Sequence, residues 1–277
     1  MLATGSVEHF AGLLLLLASA GLIAGFLSGL LGIGGGGILV PVLYEVFGAV
    51  GVPDDVRMHV TLGTTLGVVA PTVLRSFSAF RARGSIDMDV VRRMGPWIFL
   101  GVGLGVLIAD RASGDALRWI WVIFGSVLAI KMALGRDDWR IADELPRPPK
   151  LEGAAFGIGT ISTLMGIGGA SFTVPLLTLY GRPLLQAVAT ATGLGPIIAI
   201  PGIVGYAISG WGAPGLPPLS LGYVNASALL IAPLGVFAAP YGVRAAHSLP
   251  KRALELAFAA FLACVVARFL WTLLVGD

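Results

Sequence analysis

Apolar runs almost free of charge recur along the whole chain. They cover roughly residues 10–31, 38–50, 60–80, 94–109, 116–134, 153–181, 187–208, 219–243 and 253–275. Runs of about 18 or more apolar residues read as transmembrane helices. Only 12% of the residues are charged, against about 25% in a soluble domain. The expected class is an all-α polytopic membrane protein. The first Lys or Arg is Arg57, so the N-terminus lacks the basic region of a cleaved signal peptide. The first run therefore reads as a retained membrane segment. Cys264 is the single cysteine, which excludes an intrachain disulfide or a cysteine metal site. The net charge of +3 does not point to nucleic acid, because surplus Lys and Arg belong in cytoplasmic loops.

The chain also repeats itself. LLGIGGGGILVPVLY (30–44) aligns without gaps on LMGIGGASFTVPLLT (164–178), at an offset of 134. HVTLGTT (59–65) aligns on QAVATAT (186–192), and PWIFLGVGLG (96–105) on PLGVFAAPYG (233–242), at offsets of 127 and 137. The joint between the halves, GRDDWRIADELPRPPKLEG, is polar and proline-rich. The expected organisation is a first membrane repeat over 1–134, a cytoplasmic linker over 135–152 and a second membrane repeat over 153–277.

Loop charge gives an orientation. Arginines 75, 81, 83, 92 and 93 place the 75–93 loop in the cytoplasm, with the linker and the 244–252 loop. Segment 209–219 carries no charge and reads as external. An odd number of crossings must then lie between the linker and 209–219, yet 153–208 holds two apolar stretches. One of them returns without crossing, and the glycines at 166–169 identify it as 153–181. Each half then supplies one re-entrant, broken-helix hairpin and three transmembrane helices, about eight membrane segments in all. An odd number of crossings inverts the second repeat, as in secondary transporters. Residues 10–31 are long enough either to cross fully or to form half of a hairpin.

A broken backbone inside a membrane survives only where protein or a water-filled cavity surrounds it. Past each break a half-helix begins, near Gly37 and near Ser171. Its first N–H groups lack intrahelical partners and carry the positive dipole end. Such a helix start binds anions without Lys or Arg. Ser171 suits an N-cap or a hydroxyl donor. A glycine run also serves close helix packing, but two runs in register, each followed by Val-Pro, favour a functional break. The G-x-G-x-x-G match at 32–37 is not a dinucleotide fingerprint, because no soluble βαβ unit surrounds it. No Lys-Ser/Thr follows, so it is not a P-loop either.

Other polar residues are fewer. Thr61, Thr64 and Thr65 open one run, and Thr190 and Thr192 stand in the matching region. Each either donates to an oxyanion or bonds back to its own helix. Asn225 is either a ligand contact or an interhelical hydrogen bond. Lys131 and Arg268, partners at offset 137, read as snorkelling side chains. His59, beside Asp54, Asp55 and Arg57, reads as a solvated residue at the external face. No His-Glu-x-x-His and no G-x-S-x-G occurs, so a metal hydrolase or an esterase is not supported.

The paired G-I-G-G…V-P segments at 32–41 and 166–175 resemble those of the TauE/SafE sulfite exporter family. HVTLGTT and the GYVN…P pattern at 222–233 do so too. Two departures are AVATAT, which lacks the glycine of LGTT, and Ala170-Ser171 in place of Gly36-Gly37. The resemblance implies a multi-pass carrier in the bacterial inner (plasma) membrane for sulfite, a sulfonate or a related small organic anion. It marks Gly34, Gly35, Gly36, Gly37, Gly168, Gly169, Ala170, Ser171, Thr65 and Thr192 as substrate-site candidates, and Asn225 joins them from the residue reading. No enzyme activity, cofactor, metal or nucleic-acid partner is expected. The expected partners are a small anionic substrate and the lipid bilayer. A coupling proton or ion and a homodimer are admitted as well. A passive anion channel on the same scaffold and a carrier of small carboxylates remain the alternatives.

Overall fold

The computed structural model describes residues 35–134, 140–142, 144–229, 231–247 and 250–275, with 18–19, 21–23 and 25–26 of the first apolar run. Gly32 and Gly34, and the question of how 10–31 sits in the membrane, lie outside the described residues. The helices run α1 (Gly36–Ala49), α2 (Asp54–Ala82), α3 (Met88–Arg111) and α4 (Gly114–Leu134), then α5 (Lys150–Leu164), α6 (Ala170–Leu179) and α7 (Leu184–Ser209). A two-residue pairing of β1 (Ser220–Leu221) with β2 (Val224–Asn225) leads into α8 (Ala226–Leu229), α9 (Ile231–His247) and α10 (Lys251–Val275).

Helices α2, α3, α4 and α7, and Glu255–Val275 within α10, are long and apolar enough to cross a membrane. Their outward residues, such as Phe99, Ile123, Val127, Ile208 and Trp271, are large, apolar and exposed, as a lipid-facing surface requires. The chain is an all-α, multi-pass membrane protein. Helices α1 and α6 are different. They have 14 and 10 residues, so at 1.5 Å per residue they reach only about 21 and about 15 Å. Neither spans a ~30 Å hydrocarbon core.

Contacts sort the connections onto two ends of the helix array. At one end Gly114 sits against the Asp54 carbonyl and Gly215 against Pro53. At the other end Asp87 pairs with Arg182 at 3.3 Å. Arg252 donates to the last carbonyls of α4, at Met132 and Ala133, as basic residues do at helix C-termini. The Ile141 N–H donates to the Leu179 carbonyl at 2.8 Å. The end of α6 has therefore returned to the linker that feeds α5, while α1 runs to the opposite end.

The turn after each short helix has one design. The Val52 N–H reaches back to the Phe47 carbonyl, and the Arg182 N–H to that of Leu177, at 2.9 and 3.0 Å. This is the Schellman closure. Gly51 and Gly181 supply its left-handed residue, and Pro53 and Pro183 precede α2 and α7.

Small residues set the packing, as is usual between membrane helices. Helices α2 and α7 interlock where Gly63 faces Tyr206, Gly195 faces Val73 and Gly202 faces Leu66. Helices α3 and α5 approach so closely that a Cβ on Gly159 would fall on the Ile98 carbonyl oxygen. Gly25 sits the same way on Gly235. By the repeat offsets Gly25 corresponds to Gly159 and Gly235 to Ile98, so one crossing occurs twice.

One sequence expectation is corrected here. His59 is not a solvated residue: it is 5% exposed, and its Nε2 lies 3.0 and 3.1 Å from the carbonyls of Ala109 and Ala112. Its ring lies against that of Tyr223, tilted by 32°, with centroids 4.9 Å apart. The α3 C-terminus leaves carbonyls without intrahelical partners, and an imidazole N–H beside them is worth burying.

The α3–α5 crossing gives a paired prediction. Gly159→Ala should destabilise the protein by about 1–3 kcal/mol through overpacking, read as a lower melting temperature in detergent. Gly157→Ala, on the same helix with nothing within 4 Å of its Cβ position, should be neutral or stabilising by up to about 1 kcal/mol.

Candidate functional site

The second break begins where α5 ends. The Ser162 carbonyl accepts from the Ile167 N–H at 2.9 Å, and the Thr163 carbonyl from the Gly166 N–H at 3.2 Å. Two buried aromatics complete the capping. The Tyr206 hydroxyl donates to the Thr163 carbonyl at 3.1 Å and the Trp121 indole N–H to that of Met165 at 3.2 Å. Both rings are fully buried, and each finds the polar partner that a buried Tyr or Trp needs. The chain turns through Gly166 (φ +65°) and Gly169 (φ +80°), the left-handed region that glycine enters without penalty.

Helix α6 starts at Ala170 with Gly169 as its N-cap residue. The Gly169 carbonyl accepts from the N–H groups of Phe172 and Thr173 at 3.2 and 2.9 Å. Ser171 is thus buried in the first turn, not at the cap. Gly168 packs on Val69 and Val73 of α2, and a Cβ on Gly169 would meet Ile198 of α7.

Helix α1 starts at Gly36, with Gly35 before it accepting from the N–H groups of Ile38 and Leu39. The start of α1 touches the second break. A Cβ on Gly36 would lie 2.7 Å from the Gly166 carbonyl oxygen and 2.9 Å from the Ile167 Cα. Gly37 faces Phe258, its Cβ position 3.7 Å from the ring. Trp121 and Phe258 correspond at offset 137; one reaches the second break and the other the start of α1.

Thr65 lies on the α2 face that meets the second break, between Leu62 and Val69. Thr192 precedes Gly195 on α7, which stands beside the Gly168 carbonyl. Both hydroxyls turn back to their own helices, onto the Thr61 and Ala189 carbonyls, each at 2.7 Å. Their neighbours work differently. The Thr64 hydroxyl accepts from the Asn225 N–H at 2.9 Å, and that of Thr190 from the Asp87 N–H at 3.1 Å. Asp87 and Asn225 are both helix caps: their side-chain oxygens accept from the N–H groups of Val90 and Ala228. The Asn225 amide also donates to the Pro218 carbonyl and the Ser220 hydroxyl. Asn225 thus orders the loop between α7 and α8.

Residues 60–74, 94–109, 153–181 and 183–243 contain no Asp, Glu, Lys or Arg. Those stretches around the breaks are therefore uncharged, and the donors there are backbone N–H groups and hydroxyls. Charge collects at the ends. Arg118 is 8% exposed and donates to the Tyr44 hydroxyl at 3.1 Å, to Thr272 at 3.4 Å and to Asp115. Arg57 stacks over the Tyr44 ring, 5.2 Å from its centroid, and pairs with Asp54. Arg268 pairs with Glu45 at 3.1 Å, both half-exposed. Sequence reasoning missed Asp87, Trp121, Arg118 and Tyr206. Only Asp87, three residues ahead of Val90, carries a local signal, the N-cap pattern.

This geometry has close relatives in sequence. The family profile described as sulfite exporter TauE/SafE matches residues 17–269. A probable membrane transporter protein of Haemophilus influenzae is 34% identical over 91% of this chain and 96% of its own. One from Methanocaldococcus jannaschii is 32% identical over 70% and 72%, and one from Bacillus subtilis 28% identical over 70% and 78%. No solved structure matches the chain. The chain belongs to the sulfite exporter TauE/SafE family of membrane transporters.

Proposed function

We propose that the chain is a secondary transporter that carries a small sulfur oxyanion, sulfite or a sulfonate, across the bacterial inner membrane by alternating access. The observation that carries this reading is the seat of Gly36 on the Gly166 carbonyl. Two half-helix starts of like sequence meet inside the helix array. Each brings the first turn of a helix and its positive dipole end. Discontinuous helices of this kind hold anionic groups in other secondary transporters. The family's name supplies sulfite, and the names of the relatives supply transport.

In this reading the anion lies against Gly35, Gly36, Gly37, Gly168, Gly169, Ala170 and Ser171, and Thr65 and Thr192 line its surroundings. Asn225 holds the loop at the rim. Residues 1–134 and 153–277 are two inverted repeats that rock about the glycine-lined α2–α7 contact. Support comes from the recurring Gly-x-Pro turns, the paired caps and the opposite directions of α1 and α6. The end rich in Arg81, Arg83, Arg92, Arg93 and Arg252 faces the cytoplasm. An ion or proton gradient, or the substrate's own gradient, drives the cycle.

Three measurements test this reading. Proteoliposomes holding the purified protein should take up labelled sulfite and show counterflow from a preloaded interior. No flux of any sulfur oxyanion sinks the proposal, and conductance without counterflow assigns a channel. Gly36→Leu should abolish flux, because its side chain would drive into the Gly166–Ile167 backbone; wild-type rates in that variant remove the site from the breaks. Sidedness is read by thiol labelling after Cys264→Ala. In intact cells Ala213→Cys should react with an impermeant reagent, and Ser85→Cys only after permeabilisation. The reverse pattern overturns the orientation.

A further inference from the structure

Most hydroxyls in these helices are spent locally. Thr61, Thr65, Ser126, Thr163 and Thr178 all donate to the carbonyl four residues back, as is common within apolar helices. Among the described residues three buried hydroxyls have no partner: Ser209, at the end of α7, and two that belong to the second break. Ser162 and Thr173 are 0% exposed, and Ser162 Oγ and Thr173 Oγ1 have no hydrogen-bond partner among the described residues. Buried polar side chains are nearly always paired, so each exception calls for an explanation. The two flank one residue. Ser162 Oγ lies 3.7 Å from the Cβ position of Gly169. Thr173 sits in the first turn of α6, and its N–H donates to the Gly169 carbonyl. Gly169 is the cap residue from which α6 starts.

We infer that Ser162 and Thr173 are the side-chain donors of the anion site at the start of α6, and that this site takes a monoanion. The inference rests on the transport reading above and names its specificity. Two hydroxyls kept from their own helix, beside a helix start, match an oxyanion with several acceptor oxygens. Their surroundings contain no Lys, Arg, Asp or Glu across 153–181 or 183–243. The available positive potential is then that of helix ends, about half an elementary charge each. That balances one negative charge and leaves a second one uncompensated in an apolar setting, where uncompensated charge is costly. A sulfonate or singly charged sulfite fits; a dianion such as sulfate does not. The sequence carries an echo of the same chemistry: at the offset of 134, Ser162 corresponds to Ser28, each four residues ahead of its GIGG.

The test uses the full chain in proteoliposomes, with sulfite and methanesulfonate as probes. Ser162→Ala and Thr173→Val should each lower flux at least about tenfold, the worth of one hydrogen bond to a charged group. Their melting temperatures should equal or exceed that of the wild type, because an orphaned hydroxyl stabilises nothing. Thr173→Ser keeps the donor and should keep the flux. Sulfate should compete far more weakly than methanesulfonate. Wild-type flux in both Ser162→Ala and Thr173→Val overturns the inference and leaves the transport reading standing. A fall in melting temperature in both variants overturns it too, since it assigns the hydroxyls to folding. Equal competition by sulfate overturns the monoanion assignment in the wild type, independently of any variant. Absence of flux in the wild type instead defeats the transport reading.

Discussion

The backbone cannot be left unpaired inside a membrane, and the centre of this protein is built around a place where it breaks. There the solution is explicit. The carbonyls that α5 leaves open are taken by the Gly166 and Ile167 N–H groups, the Tyr206 hydroxyl and the Trp121 indole. These two aromatics come from α7 and α4, so helices other than α5 and α6 satisfy the break. Gly36 of α1 then rests on the same stretch of backbone. The helices that satisfy the break are also the helices that set its geometry.

A second device ties the halves together. Each cap residue after a long central helix donates its backbone N–H to a threonine on the other central helix. Asp87, following α2, donates to Thr190 of α7; Asn225, following α7, donates to Thr64 of α2. The cap side chain meanwhile starts the next helix. The exchange fixes α3 and α8 relative to the α2–α7 pair through bonds from a backbone N–H to a hydroxyl. Polar contacts between membrane helices are individually worth only about 0.6–2 kcal/mol. Two of them stand at opposite ends, with the glycine-lined contact between them.

The sequence revealed what depends on local pattern. The break at 166–169, the half-helix starts to within one residue, and the short lengths of α1 and α6 follow from apolar runs and their interruptions. The uses of side chains did not follow. A threonine in an apolar helix reads the same whether it bonds its own carbonyl, like Thr65, or accepts from a distant N–H, like Thr64. His59 was misread because Asp54, Asp55 and Arg57 surround it in sequence. Its fate is decided instead by the carbonyls of Ala109 and Ala112, which arrive from another helix. Trp121 and Tyr206 look like ordinary lipid-facing aromatics until their partners, carbonyls of the broken segment, are in place. Arg118 is similar: its burial depends on Tyr44 and Thr272, 74 and 154 residues away in the chain.

The distribution of charge bears on how such a centre could work. Arg57, Arg118, Arg252 and Arg268 all stand toward the helix ends, each with an acidic, aromatic or carbonyl partner. The middle holds hydroxyls, backbone and glycine. A buried cation at the centre would pair strongly with an arriving anion, and it would cost several kcal/mol to leave exposed when the anion departs. Uncharged donors avoid that asymmetry. Each hydrogen bond to an anion is worth about 1.5–3 kcal/mol, enough for two or three to select a ligand. The loss of that ligand strands no charge. For the proposed carrier this matters more than tight binding, since the loaded and empty centres must both be able to change sides. Placing fixed charge at the ends and neutral donors in the middle meets that requirement with the residues this chain has.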